Sequence, residues 1–188
     1  SLIVNLGDIM PGAAKKGSWD MITSLSGEFV EFKASYTHAS ELGGEETSVI
    51  KSLNAYFIAH EVFNDQPGRD SQRDFLADVS DDAEHIPDTL YESQGNLVPV
   101  NYLTNAAVVG SAGPGGNFQV NLQADISGWG YLRLTDPGQA KLAIQSIVRS
   151  DGKILNTNNF WVNHRYTRIG NIRQNWLNIF DLVELKNY

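Results

Sequence analysis

The stretch "FWVNHRYTRIGNIRQNWLNIFDLVEL", residues 160–185, decides the fold class. Phe160–Tyr166 and Asn175–Leu185 are rich in aromatic and β-branched residues, the types that suit a pleated, half-buried surface. A Gly170-Asn171 break separates them, so the stretch reads as two strands joined by a turn. Working outward, Lys141–Arg149, Tyr131–Leu134, Phe118–Leu122, Leu53–Phe63 and Glu28–Tyr36 read as further strands. Turn-forming clusters divide them, among them Ser26-Gly27 and Asn64-Asp65-Gln66-Pro67-Gly68. Asp151-Gly152 between Ile147-Val148 and Ile154-Leu155 is a hairpin signal. Many short strands with turns between them predict an all-β sandwich or barrel rather than a parallel sheet.

Two stretches depart from this pattern. Asp70–His85 places Phe75, Leu76 and Val79 at helical spacing among charged residues and is followed by Pro87, which predicts a short surface helix around residues 70–85. Gly110–Gly116, "GSAGPGG", reads as a loop or hairpin tip; it lacks the lysine and strand-to-helix setting of a phosphate-binding loop.

Composition narrows the function classes. The 188 residues fit one domain, 1–188, with 41% hydrophobic and 19% charged side chains. A net charge of −8 excludes a surface built to replace the counterions of a nucleic acid. No window reaches the length of a membrane span; the longest run of small apolar residues is Ala106–Gly110. With no cysteine there is no disulfide framework and no thiolate chemistry. A first residue of Ser1 fits the loss of an initiator Met or of a signal peptide.

Catalytic motifs are absent or incomplete. His60-Glu61-Val62-Phe63-Asn64 begins like the helical H-E-x-x-H of a zinc peptidase, but Asn64 stands where the second histidine belongs and the segment reads as a strand. His38, His85 and His164 show no metal or triad spacing. Asp70, Asp74, Asp78, Asp81, Asp82 and Glu84 are read as the solvated face of the expected helix, since no calcium-loop pattern surrounds them. Trp19, Trp129, Trp161 and Trp176 are read as sandwich core and rim, with a sugar-stacking platform as the sharper alternative. No metal, cofactor or catalysis is expected.

Both ends of the chain carry a resemblance. "NLGDIMPGAAKKGSWDMITSLSGEFVEFKASYTHAS" and "GNIRQNWLNIFDLVELKN" are similar to the opening and closing segments of the TasA/camelysin family of secreted fibre-forming proteins. Met10-Pro11-Gly12 matches the family's first turn, Ser18–Ile22 the next strand and Ser24–Gly27 the gap after it. Gly170, Asn171, Gln174, Phe180, Asp181 and Leu182 occupy positions of the closing strand. The resemblance spans about the first sixty and the last twenty residues and leaves the middle unmatched. It implies a jelly-roll-like β-sandwich, exported with its signal peptide removed, that assembles into a biofilm-matrix fibre or bundling pilus. Some members carry a metallopeptidase label, which the incomplete motif at His60 does not support.

A filament subunit needs a donor and an acceptor. In Leu2-Ile3-Val4-Asn5-Leu6, Leu2, Val4 and Leu6 share one face of an extended strand. Residues 1–6 are therefore the candidate donor strand, with Leu2, Ile3, Val4 and Leu6 at the subunit interface and Gly7-Asp8 as hinge. The partner is a second copy of the chain, head to tail, and a contact that does not close into a ring propagates as a filament. The competing arrangement pairs the same strand within its own sheet. The competing function is a carbohydrate-binding β-sandwich module or a capsid-type jelly roll.

Overall fold

The computed structural model describes residues 3–13, 15–19, 22, 57–109, 116–122, 126–166 and 172–184. The expectation of one domain over 1–188 meets a chain that packs as two compact units, Ser1–Ala55 and Tyr56–Tyr188. Leu2 and the strand expected at Glu28–Tyr36 lie outside the described residues.

The second unit is almost wholly β. Its strands are β1 (Phe57–Val62), β2 (Asp74–Asp78), β3 (Thr89–Tyr91), β4 (Leu97–Pro99), β5 (Asn101–Leu103), β6 (Ala106–Val109), β7 (Gln119–Leu122), β8 (Gly128–Thr135), β9 (Phe160–Tyr166) and β10 (Arg173–Val183). A first sheet runs β1-β2-β3-β4, a second runs β5-β8-β10-β9, and β6-β7 form a separate hairpin. All pairs are antiparallel except β5 with β8.

Period-two alternation in the second sheet builds two cores at once. Tyr131 and Trp129 on β8 sit opposite Phe180 and Leu182 on β10, and this face packs on Val62, Leu76 and Leu90 of the first sheet. Leu132 and Leu134 sit opposite Ile179 and Leu177 on the other face, which Ala106, Val108 and Val120 of the hairpin and Ile144 cover. The two faces make the unit a β-sandwich whose second sheet is buried on both sides. Close packing also explains Gly130: a Cβ there would lie 2.7 Å from Leu103 Cδ1 and 3.0 Å from Val183 Cγ2. A side chain at this position would push the short parallel strand β5 off β8.

Most strand expectations hold, with shifted ends. Phe160–Tyr166 is β9 as read, and Asn175–Leu185 corresponds to Arg173–Val183. Tyr131–Leu134 extends to Gly128–Thr135, Phe118–Leu122 becomes Gln119–Leu122, and Leu53–Phe63 is a strand over Phe57–Val62, with residues 53–56 outside the described set. The β6-β7 hairpin brackets the glycine-rich stretch, of which residues 110–115 are not described.

Two expectations are corrected. Residues 70–85 form no helix: Asp74–Asp78 is the inner strand β2, paired with β1 on one side and β3 on the other. Asp74 and Asp78, expected on a solvated face, are 2% and 3% exposed. They imitate a charged helical face because their carboxylates anchor loops, Asp74 accepting the amides of Asn64 at 2.6 Å and Ser93 at 2.8 Å. Lys141–Arg149 is not a strand either. Both edges of β8 are already taken by β5 and β10, so the segment runs as a loop in which only Val148 bridges Ile154. The Asp151-Gly152 turn is present: Arg149 N–H donates to Lys153 O at 2.8 Å, and Gly152 adopts φ +91°.

Candidate functional site: assembly surfaces

The expected donor begins in the first unit. Ile3–Leu6 belongs to no strand ladder, and Ile3 is 83% exposed. The local fold follows from two side chains and one backbone bond. Asn5 Oδ1 accepts the amide of Gly7 at 2.8 Å, Lys15 Nζ donates to Leu6 O at 2.8 Å, and Ala13 N–H donates to Met10 O at 3.0 Å to close the Pro11-Gly12 turn. The chain thus doubles back. Val4 and Leu6 lie over Gly17, where a Cβ would come within 2.8 Å of Val4 Cγ1 and 3.4 Å of Leu6 Cδ2. The structure therefore brings Val4 and Leu6 together on one face, turns Ile3 to solvent, and leaves Leu2 outside the described residues.

A terminal strand of a sheet lies in the second unit. β9 ends the order β5-β8-β10-β9, so among the described residues it is hydrogen-bonded on one side only. Beside it is an open hollow of about 280 Å3 lined by Leu142, Ala143, Ile144, Thr157, Phe160, Trp161 and Val162. Leu142 is 55% exposed. In general, a sheet edge beside a hollow can accept an added strand, with main-chain groups supplying the ladder and the hollow taking alternate side chains.

The mouth of the sandwich near this edge is latched. Asn159 Oδ1 accepts the Phe63 amide at 2.8 Å and Asn159 Nδ2 donates to Phe63 O at 3.0 Å, across 96 residues of sequence. His60 of β1 stacks on Trp161 of β9, with ring centroids 3.9 Å apart. Behind them Tyr131 donates to Asn178 Oδ1 at 2.6 Å, while Asn178 Nδ2 donates to Trp161 O and Asn163 Oδ1. Burial pushes the Tyr131 hydroxyl's pKa up, against the opposing charge of Arg133. It stays protonated and keeps donating.

Among the described residues, no second metal-ligating group joins His60 in a three-membered cluster. Its ring is an aromatic stacking partner, Glu61 pairs with Arg73, and Asn64 Nδ2 donates to Glu92 Oε1 at 2.6 Å. His164 is exposed on β9, and His38 lies outside the described residues. Of the acidic set, Asp70 accepts from the Ser93 hydroxyl, Asp82 from the amides of Glu84 and Ile86, and Glu84 pairs with Arg165. Asp78, Asp81 and His85 converge, with one ligand-type atom of each within 4.8 Å of the others. His85 Nδ1 is 3.2 Å from Asp78 Oδ2.

A second charged cluster is structural. Lys153 Nζ lies 2.7 Å from Asp181 Oδ1 and 2.9 Å from Asp65, and Arg149 Nη1 donates to Asp181 Oδ2 and Leu182 O, both at 2.8 Å. Burial alone would lower the Lys153 pKa, but the bonds to Asp181 and Asp65 outweigh it and hold it above the usual value. The hydrogen bond to Asp151 likewise raises Arg149. These ion pairs fasten the Val148–Ile154 turn to β10, a role no sequence motif announced.

The tryptophans divide as core and rim. Trp129 stacks on Phe180 with centroids 4.8 Å apart, Trp161 lies between His60 and Tyr131, and Trp19 is 40% exposed in the first unit. Trp176 carries the Arg133 guanidinium 5.9 Å from its ring centroid. No helix among the described residues is long and apolar enough to cross a membrane. No protein-family model, curated protein or solved structure matches the chain.

Proposed function

We propose that the protein is a non-catalytic structural subunit of an extracellular filament, a matrix fibre or bundling pilus, that polymerises head to tail. The Leu2–Leu6 segment of one copy adds to the β9 edge of the next, with Val4 and Leu6 seated among Leu142, Ile144, Phe160 and Val162. The observation that supports this most is that β9 ends its sheet among the described residues, beside a hollow lined in part by aliphatic and aromatic side chains. The resemblance at the two ends of the chain supports export and fibre formation. Burying two or three aliphatic side chains at about 1.5–3 kcal/mol each, with a new ladder, offsets part of the cost of ordering the segment.

The absence of cysteine makes the test clean. A Val4→Cys, Val162→Cys double variant should form intermolecular disulfide ladders under mild oxidation, and electron microscopy should show filaments that vanish when residues 1–6 are deleted. Monodisperse monomer from the intact chain, with no crosslinked ladder, would overturn the reading.

A further inference from the structure

We infer that the hollow where the turn after β8 meets the start of β10 binds one neutral hexose unit of a polysaccharide. This site is separate from the β9 edge and does not depend on the filament reading. The hollow has a volume of about 220 Å3 and is lined by Asp136, Gln139, Arg173, Gln174, Asn175 and Trp176 among others. That is below the roughly 300–1,000 Å3 of an enclosed small-molecule site and suits a single sugar ring gripped from one side.

Its walls are fixed before any ligand arrives. Asp136 Oδ1 accepts the Gly138 amide at 2.9 Å and Oδ2 the Ala140 amide at 2.6 Å, so the carboxylate is spent on shaping the turn. Asp136 N–H donates to Asn175 O at 3.0 Å and ties that turn to β10. Gln139 and Ala140 hold φ +52° and +56°, left-handed values that only a well-anchored turn sustains in residues other than glycine.

The groups left over are those that recognise hydroxyls. Among the described residues the side-chain amides of Gln139 and Gln174 have no hydrogen-bond partner, and Arg173 uses only Nε, on Asn175 Oδ1 at 3.0 Å. Trp176 Nε1 is buried without a hydrogen-bond partner, so the indole's contribution to the hollow is its ring rather than its N–H. Each primary amide both donates and accepts, and a guanidinium fork spans two neighbouring hydroxyls. The indole adds an apolar body for the sugar's C–H groups. Charge selects against acidic glycans: the chain carries −8, and Asp136 is among the residues lining the hollow. Affinity for one ring is millimolar, and many copies on one polymer raise it by multivalency.

The test is affinity electrophoresis of the full chain through gels containing a neutral glucan, mannan or galactan, with polygalacturonate as the acidic arm. Retardation by at least one neutral glycan is expected, weakened tenfold or more in a Gln139→Ala, Gln174→Ala double variant. Both side chains lack partners, so the double variant should keep the parent melting temperature, which circular dichroism checks. No retardation by any neutral glycan, retardation by polygalacturonate alone, or an undiminished effect in the double variant would each overturn the inference.

Discussion

Asn159 occupies both hydrogen-bonding groups of Phe63, accepting from its N–H at 2.8 Å and donating to its C=O at 3.0 Å. A side-chain amide thus does what a neighbouring strand would do, where the first sheet ends and the second begins. Asn159 itself is fully buried. Asn159→Ala strands two backbone groups, at about 1–3 kcal/mol for each unsatisfied group, so a loss of about 2–6 kcal/mol is expected in denaturant titration. A loss below about 0.5 kcal/mol would show that the latch is dispensable.

Gly130 sets the distance between β5 and β8. Gly130→Ala introduces a carbon 2.7 Å from Leu103 Cδ1, and Leu103 is 6% exposed with little room to move. Overpacking of this kind costs about 1–3 kcal/mol. Gly95→Ala serves as a comparison, because its added Cβ would meet nothing within 4 Å and only its φ of +90° resists. If Gly130→Ala melts with the parent protein, the close approach of β5 is not a constraint.

Asp88 gives the loop after β2 an acid limit. Burial alone would raise its pKa, but the Val79 and Ser80 amides and the Thr89 hydroxyl hold it below the usual 3.8. A carboxyl lowered by folding binds its proton more weakly in the native state. Its contribution is therefore complete above the unfolded value of 3.8 and is lost as pH falls through the lower folded value. Hydrogen exchange at Val79 and Ser80 should accelerate as pH drops below about 4 beyond the intrinsic rate change, and Asp88→Asn should abolish that extra step.

Leu142 offers a test that separates the proposed assembly from folding. It is 55% exposed and lines the hollow beside β9, so Leu142→Asp should leave the melting temperature within about 2 °C of the parent while preventing filaments. Val4→Asp should do the same from the donor side. Full-length filaments in either variant would argue that subunits join elsewhere.

The sequence was most readable where one side-chain pattern had one cause. β9 and β10 alternate because opposite faces of their sheet meet two different cores, and aromatic and β-branched residues mark them. β2 was misread because a carboxylate that accepts backbone amides looks, in sequence, like one that faces water. The clue lay in the apolar triplet Phe75-Leu76-Ala77 flanked by turn residues, too short to outweigh the helical spacing. Of the candidate site, strand alternation predicts a shared face for Val4 and Leu6, and the two do meet over Gly17, though without a strand ladder. The trough at β9 was not legible in this way, since Leu142–Ile144 and Phe160–Val162 meet only after the intervening turn has folded.

The position of β10 has a mechanical meaning. It is paired with β8 from Trp176 to Val183 and with β9 from Arg173 to Ile179, so its middle is held from both sides. Tension along these strands would shear many hydrogen bonds together instead of peeling them one after another, and shear is the stronger mode. A short strand added at β9 has far fewer bonds to share the pull. A stretched thread of such subunits would part at its joints and leave the domains intact, ready to be joined again.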